Sequence, residues 1–381
     1  MRALAGLVLV ALAAASSARA GKIQFKYGGY VKLDAIHTIY YNGDVAPQNP
    51  IRDFHIPGFI PVGSTDRNYH LDYHVKESRV NFETVTEISE RHTVRGFLEL
   101  DFLLSPAGDE RVSNSFNPRM RHFFFSSGPW LAGQTWTTFQ VVVLPDDLDF
   151  IGSAEGVVFG RQPQIRFSKG KVRLALENPQ VTFTTIENGA RIVTESAALP
   201  DVVGRLDFKG DWGTLGVAAI ARDIQFNNPS TNGPREVGYG MTLGSEIKLG
   251  KDDLKFQGSA GHGLGRYVGL NFVNAAGADS TGNLWLVDQV AGFVAFRHYW
   301  SDRWRSTANV SVFYADNPSP LPASVNDNAQ SVSLNLLYSP FPELTIGAEY
   351  MLARRELKDG TDGRFGRVQF SARYGFGYLT P

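Results

Sequence analysis

The chain has no cysteine in 381 residues, which excludes disulfide staples, thiol chemistry and thiolate-held metals. Beyond the extreme N-terminus it has no apolar run near the roughly 20 residues a membrane-crossing helix needs. It also lacks a charge surplus: 37 Lys and Arg stand against 38 Asp and Glu, a formal net charge of −1. A chain so balanced is not a general polyanion binder, so nucleic acid is not expected as a partner. The eight histidines show no HExxH or other ligand spacing. No GxSxG or comparable nucleophile motif accompanies His37, His92, His122, His262 or His298. No metal, cofactor or catalytic group is therefore expected, and the chain does not read as an enzyme. An energy-coupled receptor would need a plug domain and about 22 strands, more than this length supplies.

What is present starts with MRALAGLVLVALAAASSARA. Arg2, an apolar run from Leu4 to Ala15 and the small-x-small site Ala18-Arg19-Ala20 have the layout of a secretory signal, with the mature chain starting at Gly21. Residues 1–20 are read as a leader and 21–381 as one barrel domain. Aromatics make up 12% of the chain beside 39 glycines, yet the mean hydropathy is only −0.17. That combination suits a membrane barrel, in which only alternate residues meet lipid.

Alternation of apolar and polar residues, punctuated by turn residues, predicts sixteen strands. They fall near 23–41, 69–87, 92–104, 119–127, 131–139, 160–168, 171–178, 201–209, 213–221, 236–249, 253–264, 284–300, 303–315, 328–340, 343–356 and 364–378. The connections alternate strictly between tight turns, such as Lys169-Gly170 and Phe341-Pro342, and long polar segments, such as 42–68, 140–159, 179–200 and 265–283. Short turns on one rim and long loops on the other, with an even strand count, predict a sixteen-stranded antiparallel barrel in the outer membrane. The strand faces agree. In the last strand Val368, Phe370, Ala372, Tyr374 and Phe376 share one face and Arg367, Gln369, Ser371 and Arg373 the other. Arginines at that spacing suit a wet lumen, not a packed sandwich interior. Trp212, Trp300, Trp304, Tyr338 and Phe341 near the short turns, and Tyr40, Tyr41 and Tyr314 toward the long loops, predict two interfacial girdles.

The segment from Gln140 to Phe159 differs from the other long loops. Val141, Val142, Val143, Leu144, Leu148, Phe150, Ile151, Val157, Val158 and Phe159 need burial that a loop in water cannot give. Folding it into the lumen as a constriction, apolar side to the wall, would leave Asp146, Asp147, Asp149 and Glu155 facing the channel. An external lid or subunit contact is the competing use. Opposite, Arg79, Arg95, Arg166, Arg173, Arg205, Arg367 and Arg373 fall on the polar parity of their strands, while Arg119, Arg121 and Arg161 lie at or near strand ends. A guanidinium matches a carboxylate bidentately, so such a ladder would guide small carboxylate solutes across a transverse field set up with the loop acids. For each arginine alone, an ion pair with Glu83, Glu99, Asp101, Glu177 or Asp207 that stiffens the wall is the competing role.

The stretches "RHFFFSSGPWLAGQTWTTF", "LDFIGSAEGVVFGRQPQIRFS" and "LALENP" resemble the DcaP-like family of outer-membrane porins, and more loosely the resemblance runs from "YGGYVKLDAIH" to the C-terminus. It implies a sixteen-stranded homotrimeric porin whose positively lined constriction passes dicarboxylates and aromatic carboxylates. The positions that match are Arg121, Gln134, Arg161, Gln164 and Arg166, although strict parity puts Arg161 on the opposite face from Gln162, Gln164 and Arg166. Some members carry a helical N-terminal extension, whereas here Gly21 leads almost directly into the first strand. A passive channel for small anionic solutes, with outer-membrane lipid around it, is the function expected. A nonspecific or sugar-permeable pore is the alternative; it would want an aromatic track in the lumen, where only Tyr30, Phe97 and Phe313 are placed by parity.

Overall fold

The structure is a computed structural model that describes residues 23–89, 92–105, 113–141, 143–194, 197–226 and 234–379; the leader expected over 1–20 lies outside them. In chain order the strands are β1 (Ile23–Tyr40), β2 (Asn68–His74), β3 (Arg79–Ser89), β4 (His92–Asp101), β5 (Arg119–Ser127) and β6 (Trp130–Trp136). Then come β7 (Arg161–Lys169), β8 (Val172–Glu177), β9 (Val181–Thr185), β10 (Arg191–Thr194), β11 (Asp201–Gly210), β12 (Gly213–Gln225), β13 (Arg235–Leu249) and β14 (Asp252–His262). The last are β15 (Ala276–Ala278), β16 (Leu284–Leu286), β17 (Asp288–Tyr299), β18 (Trp304–Asp316), β19 (Asn326–Phe341), β20 (Leu344–Leu357) and β21 (Asp362–Leu379).

All but β9, β10, β15 and β16 join one antiparallel sheet. β1 pairs with β21 from Lys26↔Leu379 to Tyr40↔Phe365 and with β2 and β3 on its other edge, which closes the cylinder. β2 and β3 are two pieces of one stave, so the barrel has sixteen, as the sequence predicts. The break has a local cause. Between Asp34↔His74 and Tyr30↔Arg79 the second stave holds one residue more than β1 does, a bulge that flips its alternation. The twelfth predicted strand is corrected too: Leu284–Leu286 peels away, and the barrel stave starts at Asp288. The detached piece pairs with β15, which runs parallel to β9, in a small four-stranded sheet built by two long loops.

The two faces follow the period-2 pattern. On β17, Val290, Val294 and Phe296 are exposed while Gln289, Ala291, Phe293 and Ala295 are buried inside. On β19, Val332, Leu334 and Leu336 are exposed against buried Ser331, Ser333 and Asn335. The outer surface is thus an apolar band edged by exposed Trp212, Trp300, Trp304, Phe341 and Tyr314, the composition lipid contact demands. Tyr40 is a correction: it is 0% exposed, points inward and packs with Ile51, Ile60 and Phe365. Its neighbour Tyr41 takes the outward parity.

Wall height is uneven. β6 has 7 residues and β8 has 6, about 20 Å of strand at roughly 3.3 Å per residue, whereas β1 and β21 have 18 each. The upper lumen is filled by three loops. Residues 42–67 bury Ile51, Phe54, Ile56 and Ile60, apolar positions that a reading of this loop as simply polar passes over. Residues 140–159 cross the interior. Residues 263–287 meet them through Phe159 N–H to Tyr267 O, Gly269 N–H to Val157 O and a bridge between Val158 and Val268.

Close approach fixes the crossing loop. A Cβ on Gly156 would stand 2.2 Å from the carbonyl carbon and oxygen of Gly292 on β17. Gly156→Ala should therefore lift the loop off β17 and lower unfolding stability by roughly 1–3 kcal/mol, the usual cost of overpacking. The midpoint of heat-modifiable migration on a gel measures it; an unshifted midpoint would show the loop already stands clear of that strand.

Candidate functional site

The loop 140–159 lies inside the barrel, and inward side chains of the wall satisfy its backbone. Glu349 on β20 accepts Leu148 N–H at 2.8 Å and Asp149 N–H at 3.1 Å. Leu148 O accepts from Lys32 Nζ on β1 at 2.6 Å and from Gln369 Nε2 on β21 at 3.1 Å. Asn335 donates to Asp146 O, Asn309 to Gly152 O, while Ser311 Oγ accepts Gly156 N–H and Gln257 accepts Val158 N–H. At the loop entry, Glu177 accepts Thr138 N–H at 2.6 Å and the Thr137 hydroxyl at 2.6 Å.

Of the four loop acids, Asp149 and Glu155 are buried, which corrects the sequence expectation for those two, while Asp146 and Asp147 are half-buried. Asp146 pairs with Arg305 at 2.5 Å and Arg297 at 3.4 Å. Asp147 accepts from Asn309 and Asn335, each at 3.4 Å. Asp149 is buried and accepts from His55 N–H at 2.9 Å and Arg367 Nη1 at 3.3 Å. Glu155 is 0% exposed, 2.5 Å from His55 Nε2 and bonded to Ser331 at 2.7 Å. Their electrostatics differ accordingly. Burial alone would raise the Asp146 carboxyl, but the Arg305 guanidinium outweighs it and holds it below the usual carboxylate range. Burial, then the Glu349 and Asp149 charges, push the Asp147 carboxyl well above that range.

The remaining lumen is bounded by the low wall from β3 to β11, and the predicted arginines divide there into paired and unpaired. Arg121 is 3% exposed and doubly paired, to Glu99 at 2.8 Å and Asp101 at 2.9 Å. Arg119 holds Asp101 at 2.7 Å and Arg79 lies 3.6 Å from Glu99. Arg121 reaches inward together with His122 because β5 carries one extra residue opposite the Glu99-Leu100 step. Arg95 pairs with Glu83 at 3.0 Å. Arg173 and Arg205 share Asp207 at 2.7 and 2.6 Å, and Arg205 also donates to Gln140 O at the loop entry. Arg373 lies over the Tyr30 ring at 5.4 Å.

Arg161 and Arg166 make no ion pair or hydrogen bond among the described residues, and both keep buried guanidinium N–H groups without a partner. Arg161 Cζ sits 3.6 Å over the Trp136 ring and 5.0 Å over Phe159. Strict parity pairs it with Trp136 on the outer side. At this point both strands leave the wall for the loop, however, and Trp136 meets inward-facing His122 at 5.5 Å. A cavity of about 410 Å³ brings Arg119, Arg161 and Arg266 together with Phe54, Phe150 and Phe159.

Three predicted lining residues are placed elsewhere. Gln134 pairs with outward Phe123 and Pro163 and donates to Met120 O, so it touches the cavity only at the rim. Gln164 has the inward parity but is spent on the loop, donating to Trp136 O and accepting from Thr138. Arg367 is buried beneath the loop, donating to Thr38, Ile51 O and Asp149. Sequence reasoning missed Lys32, Arg297 and Arg305, whose inward parity is readable, and His55, for which no local signal exists.

Cutting the Arg367–Asp149 pair tests the seating of the loop. Asp149→Ala leaves a buried guanidinium without its countercharge and should cost about 3–5 kcal/mol, whereas Asp149→Ala with Arg367→Met should recover most of it. Denaturant unfolding of the single and double variants decides, and equal losses would mean the pair is not coupled.

A family model described as DcaP outer membrane protein matches residues 14–376. None of the curated protein sequences compared with the chain matches it. Among solved structures, the outer membrane channel DcaP of Acinetobacter baumannii superposes with a TM-score of 0.76 at 21% identity, over 93% of this chain and 97% of that one. The anion-selective porin from Comamonas acidovorans gives 0.55 at 11% identity, over 93% and 100%. OmpT of Vibrio cholerae in a trimer form gives 0.53 at 11%, over 94% and 100%. At these identities the likeness bears on the fold.

Proposed function

This chain belongs to the DcaP outer membrane protein family, and on that premise we propose that it is a passive channel for small anionic solutes, dicarboxylates and aromatic carboxylates above all. The observation that carries the reading is the pair of unpartnered guanidiniums, Arg161 and Arg166, on a wall where Arg173 and Arg205 already share Asp207 as their bonded carboxylate. Positive charge left uncompensated in a confined, partly desolvated passage favours anions, and the guanidinium fork suits carboxylates in particular. The aromatic rings around Arg161 supply a face for an aromatic carboxylate. Inner-wall rings that could serve a sugar track are capped instead: Arg79 lies over Tyr30, and Arg95 over Phe97 and Phe124. One solved neighbour is named an anion-selective porin, which supports the anion preference, and another was solved in a trimer form, which supports a homotrimer set in outer-membrane lipid.

Planar-bilayer recording tests it. The reversal potential in a salt gradient should show anion preference, and Arg166→Ala and Arg161→Ala should each shift it toward cations. Each should weaken dicarboxylate block of the current about tenfold, near 1.5 kcal/mol, the lower end for a hydrogen bond to a charged group. The difference should shrink in 1 M salt, where the screening length falls to roughly 3 Å. Unchanged block in both variants would sink the charged-ladder account.

A further inference from the structure

A second constellation lies on the outer face, away from the lumen. On the long-loop rim Tyr41 leaves the end of β1 with its N–H bonded to Arg364 O at 3.0 Å. Its hydroxyl reaches down the outside of β21, 3.4 Å from where a Cβ on Gly366 would stand. Two guanidiniums flank its ring, Arg67 Cζ at 4.9 Å and Arg364 Cζ at 5.6 Å from the centre. Both arginines are exposed, and among the described residues neither has a carboxylate partner. Adjacent Arg354 is already paired, to Glu356 at 2.7 Å and Asp362 at 2.9 Å. These side chains top a groove of about 540 Å³ whose walls continue over Val310, Val312, Val332 and Leu352. Val310, Val332 and Leu352 are exposed members of the apolar band.

We propose that this rim is a seat for a phosphorylated, acylated lipid of the outer leaflet, with phosphate between Arg67 and Arg364 and an acyl chain along the groove. The long loops of outer-membrane barrels face the exterior, so the arginines stand at the headgroup level of that leaflet and the valines at the depth of its chains. A lipid presents charge and hydrocarbon in that same order. The planar guanidinium fork matches phosphate oxygens bidentately, and stacking on Tyr41 holds both forks in place. Free phosphate would use the arginines and leave the groove empty, so the groove favours the lipid source.

The test uses the full chain in detergent, with bisphosphorylated lipid A as probe and bound lipid counted by native mass spectrometry. Wild type should retain the probe through delipidation. Arg67→Ala with Arg364→Ala should weaken binding at least tenfold, and Leu352→Trp, which fills the groove and leaves the charges alone, should do likewise. Fully dephosphorylated lipid A should bind wild type as poorly as the double variant binds the probe, and inorganic phosphate should not displace it. Heat-modifiable migration establishes that each variant is a folded barrel. The proposal fails if the double variant binds normally, if dephosphorylated lipid binds equally well, or if inorganic phosphate competes fully. It also fails if Val332→Cys chains cross-link to one another, which would put a second copy of the protein in the groove.

Discussion

A loop that enters a closed barrel has one main source of hydrogen-bond partners, the inward side chains of the wall, because the wall's own backbone is already committed to its ladders. That constraint shapes this interior. Glu349, Asn335, Asn309, Ser311 and Gln257 each meet a backbone group of residues 146–158. Polar residues spaced two apart on β18 and β19 thus form a template for one particular loop path, where a simple pore would need them only to be wettable. The same demand explains why Gln164 and Arg367, both on the lumenal parity, serve the loop and not the solute.

Charge then sorts itself by side. Where the loop lies against β17 to β21 and β1, every acid it carries has a cation, an amide or a hydroxyl to meet. On the low wall from β3 to β11 the carboxylates are fewer than the guanidiniums around them, and two arginines are left over. Asymmetry of this kind needs no free acids on the loop. In the proposed channel, the field across the passage would come from surplus positive charge on one wall facing a loop whose acids are already partnered.

Most of the fold was legible in the sequence because its determinants are local. A period of two, turn residues at regular spacing and the short-long rhythm of connections set sixteen staves, and the apolar content of 140–159 set its place indoors. Reading failed where one extra residue changes the count. The bulge between β2 and β3 divides a strand predicted as continuous, and the bulge in β5 turns Arg121 and His122 the same way. At the tops of β6 and β7, where the chain leaves the wall, alternation stops meaning inside and outside, so Gln134 and Arg161 both landed away from their parity or family assignments. Which arginines would be spent and which spare was beyond reach, since Asp149 meets Arg367 across more than two hundred residues of sequence and His55 meets Glu155 across a hundred.

The Leu148 carbonyl is gripped by the first strand and the last at once, through Lys32 and Gln369. Those two strands form the seam, and until they meet, half of that grip does not exist. The closure of the cylinder and the full grip on its internal loop are therefore energetically coupled. A cylinder sealed with the loop outside would lack both contacts, so the seam and the internal loop stabilise one another.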